Sequence, residues 1–184
     1  RVDRRQRQMC IRDRAEADVV VVGAGSVANL VALWHTHGVD VALRHKIGKG
    51  EDLVLGGVSA GASCWFQGCV TDAFGPIRAW RGGLGLLDGS FCPHFDRKEN
   101  RAEVYAQAVA SGVLPAGYAV DDGAAVRFTD GEFAEVVAER EEATVGRIAT
   151  TQEPASSGIY REELAPRLLL SLIHISEPTR LGMI

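Results

Sequence analysis

The stretch Asp52-Leu53-Val54-Leu55-Gly56-Gly57-Val58-Ser59-Ala60-Gly61-Ala62-Ser63 decides the fold. Asp52 to Leu55 is a short run, apolar on both faces, of the kind that forms a buried parallel strand. Two glycines then begin a turn, and Ser59 to Gln67 reads as a helix of small residues with Trp65 and Phe66 packing. The same order stands one unit earlier. Asp18-Val19-Val20-Val21-Val22 is a β-branched run followed by Gly23-Ala24-Gly25. Val27, Leu30, Val31 and Trp34 then keep helical spacing as far as His37, where Gly38 supplies a stop. A second helical stretch covers about Val39 to His45. Strand, helix, strand, helix is the order of a doubly wound α/β sheet.

Beyond the deciding stretch, Thr71 to Leu87 is glycine-rich and interrupted by Pro76, which marks a loop region. Ser90 to His94 is extended, and Glu99 to Ser111 reads as a helix with Ala102, Tyr105 and Val109 inward. Tyr118 to Val120, Ala124 to Phe128, Phe133 to Ala138 and Thr144 to Ala149 read as short strands. Turn signals stand at Asp121-Asp122-Gly123 and Thr129-Asp130-Gly131. Glu162 to Leu169 reads as a closing helix.

Composition narrows the classes. With 184 residues, 46% hydrophobic and 24% charged, the chain suits one globular domain and neither a disordered nor a fibrous one. A net charge of −4 argues against a nucleic-acid groove. No apolar run approaches the ~20 residues of a membrane span. Four cysteines without regular spacing make no disulfide framework. The expected compartment is cytoplasmic.

The two ends read differently from the rest. Met9-Cys10-Ile11-Arg12-Asp13-Arg14 can be back-translated to DNA whose reverse complement encodes Leu-Ser-Leu-Ile-His-Ile, the residues at Leu170 to Ile175. One inverted DNA element flanking an insert explains this relation. The element resembles a transposase mosaic end with its adapter arms. Residues 1–14 and 170–184 are therefore expected to be adapter-derived, the first segment disordered, and the α/β domain to occupy 15–169. Residues 1–14 hold six Arg and two Asp, so the remainder is more acidic than the whole chain.

Two glycine motifs compete for the chemistry. Gly23-Ala24-Gly25-Ser26-Val27-Ala28 fits the G-x-G-x-x-A dinucleotide fingerprint between a strand and a helix. That fingerprint wants an acid at the end of the next strand, where this chain has Gly56-Gly57. Gly57-Val58-Ser59-Ala60-Gly61 fits G-x-S-x-G, a nucleophile elbow, in the required strand–turn–helix setting. Such a turn presents Ser59 Oγ above the sheet and leaves the Ala60 N–H facing a developing oxyanion.

A serine nucleophile needs a base and an acid that orients it. His35, His37 and His45 lie on helices with ordinary neighbours. His94 ends an extended segment after Cys92-Pro93, at a sheet edge. Asp72, Asp96 and Asp122 are the candidate acids, and composition and spacing leave the choice among them open. Cys64, Cys69, Cys92 and His94 could be counted as zinc ligands, but Cys64 on the helix after Ser59 fits a buried free thiol better. If the elbow is only a tight turn, the alternative is a nucleotide- or small-molecule-binding module using Gly23 to Gly25.

Four segments carry a family resemblance: Gly57 to Phe66, Gly83-Leu84-Gly85-Leu86-Leu87, Gly89 to Asp96, and Gly117 to Ala125. In that order they resemble peptidase E, the aspartyl-dipeptidase and cyanophycinase family of serine peptidases. The resemblance runs from about Ala17 to Leu169. It implies a three-layer, doubly wound, mostly parallel α/β sheet of the flavodoxin-like, class I glutamine amidotransferase type. It places the nucleophile on Ser59, the histidine on His94, the acid on Asp72, and the oxyanion hole on the N–H groups of Gly25 and Ala60. Asp96 and Asp122 stay as alternative acids or substrate contacts. It implies a short peptide with an N-terminal aspartyl residue, or a β-aspartyl linkage, as substrate. It names no specificity arginine; Arg101 and Arg127 are the candidates, against a plain surface role for both. No cofactor, metal, nucleic acid or membrane is implied; a homodimer is left open.

The chain departs from the family in one place. Where relatives have Gly-Gly-Gly-Asn-Thr, it has Gly23-Ala24-Gly25-Ser26-Val27, which keeps the backbone donor and loses two polar side chains. Relatives also carry residues before Ala17 that supply the first strands and helices. The expectation is an N-terminally truncated peptidase whose sheet is open beside Val19 to Val22, with an inactive fragment as the alternative. Expressed alone it should be insoluble or molten, and a sharp melt of a soluble monomer would contradict this.

Overall fold

The structure is a computed structural model that describes residues 17–97, 100–150 and 159–169. Strand β1 (Val19–Val22) lies parallel to β2 (Val54–Gly57), with Val22 beside Gly57. Both glycine motifs therefore leave the C-terminal ends of adjacent parallel strands, where ligands of open α/β sheets gather. Helix α1 (Val27–His37) starts directly after the first motif. Its N-cap is Ser26, whose Oγ accepts the Asn29 N–H at 3.4 Å. Helix α2 (Val39–Gly48) follows at once, and His35 Nδ1 meets the buried Asp40 at 2.8 Å across the junction.

After β2 come a short helix α3 (Ala60–Ser63), β3 (Phe66–Thr71), β4 (Arg78–Trp80) and β5 (Leu87–Pro93). Helix α4 (Arg101–Ala110) leads to β6 (Gly117–Val120), β7 (Ala124–Thr129), β8 (Glu132–Ala138) and β9 (Val145–Thr150). The last elements are β10 (Ile159–Leu164) and β11 (Pro166–Leu168). Six strands form one sheet in the order β10-β9-β6-β5-β3-β4. At its centre β3, β5 and β6 are mutually parallel, and β4, β9 and β10 join antiparallel. Strands β11, β8 and β7 make a three-stranded sheet, and β1 and β2 a two-stranded one.

The chain is α/β, of the flavodoxin-like kind, with its parallel pairing along β1–β2 and β3–β5–β6. Apolar burial holds this arrangement at roughly 25 cal/mol per Å² removed from water. Phe66 stacks on Phe91 at 5.0 Å, and Val120, Val136 and Val145 close the same core. A second core surrounds Tyr105, which is fully buried; its hydroxyl is satisfied by Ser90 Oγ at 2.9 Å. On the free edge of β1 no strand pairs among the described residues, and Val19 and Val21 stand exposed.

Three expectations about elements need correction. The helix expected over Ser59 to Gln67 ends at Ser63, and Phe66 opens the buried strand β3. A short apolar run fits a buried strand as well as a helix, and periodicity does not separate them. The loop expected over Thr71 to Leu87 contains β4, paired to β3 from Cys69 against Trp80. The closing helix expected over Glu162 to Leu169 is instead β10 and β11. Pro166 lacks an N–H and drives Ala165 away from helical geometry, so the run divides there. The ends read as adapter-derived, 1–14 and 170–184, lie outside the described residues.

Candidate active site

Ser59 occupies the turn between β2 and α3 with φ 54° and ψ −110°, a conformation that L side chains rarely adopt. Two absent side chains allow the turn. A Cβ on Gly57 would collide with the Gly61 carbonyl, and one on Gly61 would collide with the Val22 carbonyl at the end of β1. The G-x-S-x-G segment is thus folded onto itself and against the first glycine loop. Gly25 and Ala60 both line a cleft of about 140 Å³ with Ser59 and His94. As the first residue of α3, Ala60 carries an N–H that has no acceptor within the helix.

His94 reaches this cleft from the end of β5, also at positive φ, 55°. Its Nε2 stands 2.8 Å from Ser59 Oγ. Its Nδ1 hydrogen-bonds Asp122 Oδ1, which follows the adjacent parallel strand β6. Both bonds form in one tautomer, with Nδ1–H donated to the carboxylate and Nε2 free to accept the Ser59 proton. Burial raises the Asp122 carboxyl, but hydrogen bonds from His94 and Arg97 outweigh it and hold the group below its ordinary value. Asp122 is therefore an anion at neutral pH.

The three candidate acids separate in space. Asp72, the expected partner of His94, points 66% exposed toward the buried Arg101, with its Oδ2 3.6 Å from Arg101 Nη2. The geometric correction is plain: Asp122 holds the imidazole, and Asp72 faces the guanidinium across the same cleft. The reason lies in topology, since β5 and β6 are neighbours and bring the residues after them together. Asp96 stands behind Asp122 and accepts its backbone N–H at 3.0 Å. Of the two arginines, Arg101 lines the cleft, whereas Arg127 pairs on the surface with Glu135 at 2.8 Å.

Cys64, Cys69 and Cys92 are buried free thiols, and burial pushes each up to about 12. Among the described residues no group of three or more His, Cys, Asp and Glu side chains is placed to hold a metal ion. His94 is engaged by Ser59 and Asp122 instead. No helix among the described residues is long and apolar enough to cross a membrane. Arg97 was not a candidate from the sequence. Its Nε donates to Asp122 Oδ2 at 2.9 Å, and only the proximity of β5 and β6 reveals it.

Residues 2–136 match the profile of peptidase family S51. The chain belongs to peptidase family S51. It is also 42% identical over 133 residues to YgaJ of Bacillus subtilis (strain 168), described as an uncharacterized peptidase. That alignment covers 72% of this chain and 56% of YgaJ, so the chain spans little more than half of that relative's length. The S51 match includes β1, β2 and the segments that carry Ser59, His94 and Asp122.

Proposed function

We propose that this S51 chain is the catalytic part of a serine peptidase that cleaves short peptides with an N-terminal aspartyl residue. Ser59 is the nucleophile, His94 the general base and then acid, and Asp122 the group that orients the imidazole. Ser59 Oγ bonds to the scissile carbonyl carbon while its proton passes to His94 Nε2. The carbonyl oxygen gains the negative charge and lies against the N–H groups of Gly25 and Ala60. One such donor contributes about 3 kcal/mol. Collapse of the tetrahedral adduct breaks the C–N bond, and the leaving amine takes the proton from His94. Water then repeats the sequence on the acyl-serine.

The single observation supporting this reading is the Ser59 Oγ to His94 Nε2 distance of 2.8 Å, reached from a strained turn. Arg101 supports the aspartyl preference, because a buried guanidinium in the cleft matches a substrate carboxylate. Two sets of dipeptides, Asp-X and Ala-X, test the proposal. The chain should hydrolyse Asp-X faster, and Ser59→Ala should abolish turnover. Arg101→Met should lower kcat/KM for Asp-X by about 10²-fold, toward the Ala-X value. Turnover that persists in Ser59→Ala rules the mechanism out.

A further inference from the structure

Asp122 has one carboxylate and two side-chain partners. Oδ1 receives His94 Nδ1–H, and Oδ2 receives Arg97 Nε–H at 2.9 Å. The backbone of Asp122 is fixed as well. Its N–H donates to Asp96 Oδ1 at 3.0 Å, and its carbonyl accepts Arg140 Nη2 at 2.6 Å. Arg140 also stands 3.6 Å from Asp96, which closes the ring of contacts. Next to it, Asp121 Oδ2 accepts the N–H and the hydroxyl of Thr144 at 2.9 and 2.7 Å. The loop that carries the acid is therefore anchored on both sides without Arg97.

That anchoring leaves Arg97 a narrower task, at the side chain. A carboxylate held through its backbone can still turn about its last bond, and a donor on Oδ2 stops that turning with Oδ1 aimed at His94. A guanidinium stays protonated at all working pH values, so it also sets a fixed positive charge beside the pair.

We propose that Arg97 is a positioning residue for the His94–Asp122 pair: its hydrogen bond to Oδ2 fixes the carboxylate rotamer that aims Oδ1 at His94 Nδ1. The proposal deepens the hydrolase reading and rests on it for its catalytic meaning. The other charged groups near the pair come from several elements. They are Asp72 after β3, Arg101 on α4, Asp96 beside Arg97, Arg140 after β8, and Arg161 on β10, whose guanidinium lies 5.0 Å from the Phe95 ring. Of the two cations lining the cleft, Arg101 pairs with Asp72, and Arg97 is the one bonded to the acid of the pair.

The test follows the His94 Nδ1–H proton by NMR at neutral pH in the full chain, in wild type, Arg97→Lys and Arg97→Gln. Held by Asp122, that proton should give a downfield resonance protected from exchange in wild type, lose it to exchange in Arg97→Gln, and keep it in Arg97→Lys, whose ammonium still donates to Oδ2. A second readout is the rate of Ser59 labelling by a fluorophosphonate, which should fall about 10-fold in Arg97→Gln, recover in Arg97→Lys, and show no further loss when Arg97→Gln is added to Asp122→Asn. A resonance unchanged in Arg97→Gln, or equally lost in Arg97→Lys, overturns the assignment. A Ser59 that never labels, with the resonance behaving as stated, defeats the hydrolase reading while upholding the effect of Arg97 on the pair.

Discussion

Ser59 and His94 share a property uncommon for side chains of their kind: both sit at positive φ. Each such residue costs roughly 1–3 kcal/mol and persists only where its surroundings impose it. Glycine reaches that backbone region freely. Ser59→Gly is therefore expected to stabilise the chain by about 1 kcal/mol in urea unfolding while removing the nucleophile. A marked loss of stability would show that the turn is not strained. The two aspartates part in the same way. Asp122→Asn should lower peptide kcat/KM by ~10³–10⁴, as expected when an imidazole loses its orienting carboxylate. Asp72→Asn should leave kcat far less affected and act through KM. The reverse ranking would return Asp72 to the imidazole. Ser59 and His94 were legible in the sequence because each stands in a local pattern, G-x-S-x-G and Cys92-Pro93-His94. The acid was not, because three aspartates lay within reach of His94 along the chain. Only the pairing of β5 with β6 selects among them.

Elements carry the next set of constraints. The turn that carries Ser59 works because β1, β2 and α3 meet with no side chain between them at Gly61. Gly61→Ala should cost about 3 kcal/mol or more, since the added methyl meets backbone that cannot step aside. Denaturant unfolding, or loss of soluble protein, reports it; a stability equal to wild type would refute the packing described. The cysteines just after α3 and within β3 and β5 offer a gentler probe. With thiols buried and pushed up to about 12, Cys64, Cys69 and Cys92 should resist iodoacetamide at pH 8 until the chain unfolds. Peptide mapping of the alkylated chain checks this, and rapid native labelling would contradict it. Strand–helix alternation up to β2 was readable because each run was long enough for its period to show. Phe66 and Glu162 to Leu169 resist a reading from sequence because tertiary pairing, to β5 for the first and to β9 and β8 for the second, settles runs whose own period is ambiguous.

For the whole molecule, charge sets the response to acid. Glu135 on β8 is held down to about 2 by hydrogen bonds from Arg167 on β11 and Arg127 on β7. Asp122 is also held below its ordinary value. A carboxyl with a lowered folded value adds stability above its unfolded value and loses it as pH falls through the folded one. The unfolded values are near 4.5 for Glu and 3.8 for Asp. Stability should therefore hold above about pH 4.5 and decline steadily toward pH 2, where Glu135 takes up its proton. Both groups face solvent in part, so salt should soften the decline. Thermal unfolding across this range, with and without added salt, gives the measurement; stability that rises on acidification would contradict it.

The most direct test of the account is where a fluorophosphonate attaches at neutral pH. Mass spectrometry of the digested protein should find a single adduct on Ser59 in wild type. The adduct should be lost in His94→Gln, which removes the proton acceptor 2.8 Å away. Attachment at another residue, or undiminished labelling of Ser59 without the imidazole, would contradict the account.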